Sequence, residues 1–364
     1  MLGIVDGFGI PRLLAGLAPG GFSDLLGQSS NVDSGKRSGD HLRRREFGKT
    51  ILVSMLPGAG ALPGTAEPAD LAKLKPDEVV ADLYALDDQF GGGTVADIAE
   101  RRVASILSQL QAVSIPVAAE TRMHRMMGTL CVCAGWVAHD AGQDDRAARL
   151  YKDALYAAHL ANDKPLRMHI LSNMSMQATA LDRPRDGLHL AQAALGDARG
   201  ADPRLRSLLA MRVARAASQQ RDERLLRQSY HDARRLLDRA GTDADQSSWF
   251  RFFDEMEVTG LAGICYVRIG RFADAAVAFR KVIGHSGTYP RNRAVYMALL
   301  AESLAGARQV DEAVDVVHRG LPLFTQVTSA RMRDRLADVD SALASYMDVS
   351  DVAECREILA GLTA

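Results

Sequence analysis

Residues 260–283 read GLAGICYVRIGRFADAAVAFRKVI. Small and apolar residues recur at helical spacing on both sides of Gly270, which predicts two helices joined by a tight turn. Gly263 lets the helices approach, Tyr266 fills the gap between them, and Ala275, Phe279 and Val282 line the inner face of the second helix.

The second-helix signature is a small or apolar residue, a large one four positions on, and a small one three further. It returns at Ala147, Tyr151 and Ala154, and at Leu226, Tyr230 and Ala233. Weaker copies lie at Gly187, Ala191 and Ala194, and at Ala313, Val317 and Gly320. The starting positions 147, 187, 226, 275 and 313 are spaced by 40, 39, 49 and 38 residues, longer than the 34 of a standard tetratricopeptide repeat. The units nevertheless resemble tetratricopeptide hairpins, so the predicted fold class is all-α: a right-handed α-solenoid of such hairpins, with a concave groove lined by first helices. The long interval holds GTDADQSSWFRFFDE at 241–255, where Trp249 and Phe253 are expected structural anchors and the array is expected to change direction. Breaks at Gly91 to Gly93, Pro116, Pro165, Pro184, Pro203, Gly241 and Pro290 divide the chain into helices of ordinary length.

Composition agrees. Of 364 residues 47% are hydrophobic but only 5% aromatic, a balance that favours helix over sheet. A formal charge of -1 and a pI near 6.8 give the whole molecule no electrostatic bias toward nucleic acid, so any such binding must be local. Cys131, Cys133, Cys265 and Cys355 sit inside helical patterns, as expected of reduced thiols in a cytoplasmic protein.

The N-terminal part reads differently. Residues 1–20 are a short apolar segment broken by Gly7, Gly9 and Pro11, and residues 21–75 form a flexible basic linker before a repeat domain at 76–364. The linker contains HLRRREFGKTILVSML, whose basic start and apolar middle resemble part of a twin-arginine export signal. The apolar run from Ile51 to Leu56 is six residues long, far short of the roughly 20 needed to span a membrane. A basic connector is the expected role, with Arg43, Arg44 and Arg45 as possible phosphate contacts.

AGWVAHDAGQDDRAARLYKDAL at 134–155 and SNMSMQATALDRPRDGLHLAQAAL at 172–195 resemble the sensor half of bacterial Xre-type regulators. Further points of similarity are Trp249, Phe253, Asp254, Glu257, Gly260, Gly263, Cys265, Gly270 and Arg271, then Ser329 to Leu336. The resemblance covers roughly residues 70–364. It implies an N-terminal helix-turn-helix followed by tetratricopeptide-like repeats, and Ile4 to Leu17 resembles the end of such a DNA-binding domain. The recognition helix that reads bases would precede Met1 and is not in this sequence.

Chemical motifs are weak. Cys131 and Cys133 point about 200° apart on a helix and cannot share one ion without unwinding it. Gly48-Lys49-Thr50 has the tail of a phosphate loop, but Arg43 stands where its first glycine belongs. Asp254, Glu255 and Glu257 are better placed to pair with a neighbouring helix, Asp254 or Glu257 with an arginine there, than to act in hydrolysis. Met123, Met126, Met127, Met168, Met174 and Met176 are expected mainly to fill the core. No catalytic group, metal or cofactor is expected. The expected function is a cytoplasmic sensor module of a transcription regulator, binding a peptide, small molecule or protein in its groove, with homodimerisation consistent with paired half-sites. The alternative is a stand-alone protein–protein adaptor that does not bind DNA.

Overall fold

The computed structural model describes residues 117–240, 253–285, 290–327 and 329–363. Every regular element among them is helical: α1 (Val117–Asp140), α2 (Asp144–Leu160), α3 (Lys164–Ala180), α4 (Pro184–Asp197), α5 (Pro203–Gln219), α6 (Glu223–Leu237), α7 (Glu255–Arg268), α8 (Phe272–Ile283), α9 (Pro290–Gly306), α10 (Val310–Gln326), α11 (Ala330–Leu343), a 3-10 turn (Ala344–Tyr346) and α12 (Val352–Thr363). The expected segments 1–20 and 21–75, the repeat domain up to 116, and the expected breaks at Gly91 to Gly93 and Gly241 lie outside the described residues. All described residues fall within one compact unit, 63–364.

Helix starts follow from proline and aspartate. Pro184, Pro203 and Pro290 open α4, α5 and α9, and Pro165 sits in the first turn of α3, where a missing N–H leaves no hydrogen bond unmade. Asp163, Asp202, Asp222, Asp254 and Ser329 accept hydrogen bonds from first-turn amides of α3, α5, α6, α7 and α11. Pro322 lies inside α10 without ending it.

The turns repeat with the sequence. The five hairpins α1–α2, α3–α4, α5–α6, α7–α8 and α9–α10 each close on a residue of positive φ: Gly142 at 80°, Asp182 at 55°, Arg221 at 56°, Gly270 at 78° and Arg308 at 63°. In each, the following amide reaches back five residues, as from Gln143 to the Ala138 carbonyl (2.8 Å) and from Arg271 to that of Tyr266 (2.9 Å). This is a Schellman closure. Its positions are separated by 40, 39, 49 and 38 residues, the intervals of the second-helix signature.

Packing shows the same register. Sixteen residues before Tyr151, Ala191, Tyr230, Phe279 and Val317 stand Gly135, Ser175, Ala214, Gly263 and Ala301, all small and all buried. A β-carbon on Gly135 would lie 2.6 Å from the Tyr151 ring, and one on Gly263 2.7 Å from that of Phe279. The aromatic ring thus occupies the space that the missing side chain leaves.

Helices pack in consecutive pairs, and the first helices α1, α3, α5, α7, α9 and α11 also pack in succession on one another. The two sets differ in burial. Helix α6 buries one stripe, Leu226, Ser229, Ala233 and Leu236, whereas α5 buries residues 207–218 without interruption. Helices α1, α3, α5 and α9 are thus covered on most faces, whereas α11, like the second helices, is buried along one stripe. Among the described residues, no helix is long and apolar enough to cross a membrane.

Candidate functional site

The deep burial of α1, α3, α5 and α9 has a chemical consequence, because they carry many polar groups. Ser172 and His169 on α3, Arg212 and Arg215 on α5, Arg291 at the start of α9 and Asp140 at the end of α1 are all buried. Buried charge requires partners.

The partners come from distant parts of the chain. Asp140 is fully buried and accepts from Arg291, 151 residues away, and from Arg331 Nη1 on α11 at 3.2 Å, 191 residues away. Both guanidiniums also lie over the ring of Trp136, each 5.1 Å from its centroid. One turn along, the His139 Nδ1 meets the Asp144 carboxylate at 2.5 Å, and Gln177 Nε2 donates to that carboxylate at 3.2 Å and to the Asp144 carbonyl at 2.8 Å. The hydrogen bond with His139 is the main influence holding the Asp144 carboxyl below its usual range, and burial holds His139 below the usual imidazole value. Helix α1 is in this way joined to α9 and α11.

A second group of cations lies beside this junction. Arg212 Nε donates to Ser172 Oγ at 3.1 Å, forty residues away, or one repeat. Glu257 on α7 accepts from Tyr296 Oη on α9 at 2.8 Å, and burial raises its carboxyl above the ordinary range. Arg215 is more than nine-tenths buried, and its guanidinium makes no hydrogen bond or ion pair with the described residues. Burial first, then the neighbouring guanidiniums of Arg331, Arg212 and Arg335, push Arg215 down to about 9. Arg212 is pushed to about 10, chiefly by burial, with Glu257 acting in the opposite direction. Arg331 and Arg335 are about a quarter exposed, and Arg335 pairs with Asp338 at 2.8 Å. Close by, Tyr151 Oη is buried without a hydrogen-bond partner among the described residues.

The residues singled out from sequence take several places. Ala147, Tyr151, Ala154, Gly263, Ala275, Phe279 and Phe253 are buried. Gly270 is exposed in its turn. Tyr230 and Tyr266 are half-buried and line a cleft of about 380 Å³ between α6, α7 and α8, with Arg271 5.0 Å above the Tyr266 ring. Trp249, Arg43, Arg44 and Arg45 lie outside the described residues. The four cysteines are buried and free. Met126, Met127, Met168 and Met176 are core residues, while Met123 and Met174 are partly exposed. Among the described residues, no group of three or more His, Cys, Asp or Glu side chains is placed to hold a metal ion.

The acidic trio of α7 divides its roles. Asp254 caps the helix, Glu255 pairs with Lys281 at 2.8 Å, and Glu257 accepts from the Tyr296 hydroxyl while the guanidinium of Arg212 on the neighbouring α5 also acts on its carboxyl. Sequence reasoning missed Asp140, Trp136, Arg212, Arg215 and Arg291. The available signal was a charged residue at fully buried helical positions, visible in VAHDAG (137–142) and in MRVARAAS (211–218) once small residues had marked the inner stripe.

Compared with known protein families and with curated proteins, the chain matches none.

Proposed function

We propose that this chain is the ligand-sensing part of a transcription regulator of the Xre type, built as a right-handed α-solenoid of tetratricopeptide-like hairpins whose inner face binds an effector. One observation carries the binding part: polar and charged side chains from α1, α3, α5, α7, α9 and α11 converge on the inner side, where packing alone calls for apolar ones. The regulator part rests on the resemblance of the repeats and of Ile4 to Leu17. The sensor acts by shifting the array between two arrangements, and the junction of Asp140 with Arg291 and Arg331 is the contact best placed to differ between them.

The test is retardation of DNA from the protein's own promoter region by the chain extended with the coding sequence upstream of Met1. Retardation that weakens between about 50 and about 200 mM salt supports the regulator. No retardation at the lower salt overturns it and leaves the adaptor, the reading that the near-zero net charge favours.

A further inference from the structure

The cleft between α6, α7 and α8 shares no residue with the junction of Asp140, Arg291 and Arg331. It opens where the interval between hairpin turns is longest, 49 residues, and α6 meets α7 less extensively than α2 meets α3, α4 meets α5 or α8 meets α9. Its volume of about 380 Å³ falls in the range of small-ligand sites, roughly 300–1,000 Å³. Apolar lining comes from all three helices: Leu237 on α6, Val258 on α7, and Val277 and Ala278 on α8. Val277 is 66% exposed, the most exposed large hydrophobic side chain among the described residues. Tyr230 and Tyr266 stand between the cleft and a smaller pocket toward Arg271.

The charges around the cleft are balanced and mostly paired. Glu255 and Lys281 meet at 2.8 Å, and Asp274 holds Arg271 at 2.7 Å. The smaller pocket adds Glu223 and Arg227, one of each sign. That leaves Arg234 and Asp238 on α6, both exposed and neither making a side-chain hydrogen bond or ion pair among the described residues. Arg234 acts on the Glu255 carboxyl only from beyond ion-pair distance. The two are four residues apart on one helix face, about 6 Å along the axis, with the cation N-terminal to the anion, the weaker order for a mutual pair. Either alone would be an ordinary solvated charge. Together they set one cation and one anion side by side on the lip of a cavity whose far wall is the exposed Val277.

We propose that this cleft binds the zwitterion of a free apolar α-amino acid, its carboxylate on Arg234, its ammonium on Asp238 and its side chain against Val258, Val277 and Ala278. An α-amino acid carries both charges on one carbon, so a single small molecule can meet two groups one helical turn apart. Charge selects among occupants. The ionised groups of the cleft and the adjoining pocket cancel, so a phosphorylated ligand, a nucleic acid or a strongly charged peptide finds no net attraction. An uncharged apolar molecule would cover Val277 but take nothing from Arg234 or Asp238. The apolar amino acid uses both.

The inference depends neither on the inner face nor on DNA. The experiment is calorimetric titration and thermal unfolding of the whole chain with L-leucine and L-phenylalanine. The controls are N-acetyl-L-leucine, which lacks the ammonium, L-leucinamide, which lacks the carboxylate, and L-glutamate and L-lysine, which add a charge. Leucine or phenylalanine is expected to bind saturably and to raise the unfolding temperature, and all four controls are expected to bind more weakly. Arg234→Gln and Asp238→Asn, both at exposed positions, are each expected to weaken the amino acid about fivefold. Arg234→Gln leaves the affinity for leucinamide unchanged, and Asp238→Asn that for N-acetyl-leucine, because each analogue already lacks the group that the lost side chain would meet. No binding of either amino acid up to about 10 mM, where a millimolar Kd would show, overturns the site. Equal binding of leucine and its acetyl or amide form overturns the zwitterion. Undiminished binding by both variants places the ligand elsewhere and overturns the assignment to this cleft. DNA retardation by the extended chain with no amino-acid binding refutes this inference alone, whereas amino-acid binding without retardation refutes the regulator alone.

Discussion

At the scale of single residues, the hairpin turns carry a cost that two positions avoid and three do not. A Schellman closure needs a left-handed residue, and glycine meets that need without steric penalty at Gly142 and Gly270. Asp182, Arg221 and Arg308 adopt the same φ with a β-carbon present, at roughly 1–2 kcal/mol each. Arg221 is exposed in its turn. Arg221→Gly should therefore raise stability by about 0.5–1 kcal/mol, the relief of strain less the extra entropy of an unfolded glycine. Urea denaturation would show this as a higher midpoint at unchanged slope. An unchanged or lower midpoint would mean that arginine already sits there without strain.

At the scale of elements, each hairpin depends on one helix having no side chain where the other has a large one. Gly263 receives the Phe279 ring, Phe279 in turn stacks on Tyr296 with centroids 5.9 Å apart, and Tyr296 lies against Gly260. Two hairpins are thus locked through two aromatic rings and two absent side chains. Gly263→Val would place a β-carbon 2.7 Å from a rigid ring, and the predicted loss is about 1–3 kcal/mol. Gly361, whose β-carbon would meet nothing within 4 Å, is the control position, and Gly361→Ala should be close to neutral. The small–large spacing of sixteen residues was legible from Gly263 and Phe279 because it arises within one hairpin, from helix pitch and turn length alone. Tyr230 departs from it, half-buried against the cleft while its neighbour Ser229 is buried.

At the scale of the whole described unit, two features join hairpins distant in sequence. The first is the buried Asp140. Asp140→Ala would leave Arg291, 7% exposed, without this carboxylate, and the expected loss is about 3–5 kcal/mol, measured by thermal or urea unfolding. The second is His169, buried on α3, whose pKa burial and then Arg212 push down to about 3. Unfolded, an imidazole takes up its proton near pH 6.5. Between those two values the unfolded chain binds more protons than the folded one, so stability falls as the pH drops from about 6.5 toward 3. The contribution is at most about 1.4 kcal/mol per pH unit. His169→Gln should flatten that part of the stability–pH curve, and an unaltered slope would place the acid sensitivity elsewhere.

The all-helical class, the helix starts at proline, the hairpin turns and their unequal intervals were all determined by the sequence alone, since each depends on contacts within about forty residues. The tertiary structure decided which residues occupy the inner face and what they meet there. Asp140 and Arg331 stand 191 residues apart, and nothing local in either segment specifies the other. Their meeting depends on how each intervening helix pair packs on the next, which every interface sets together. For the same reason the sequence did not reveal that α3 and α5 are buried along most of their length and carry His169, Arg212 and Arg215 there.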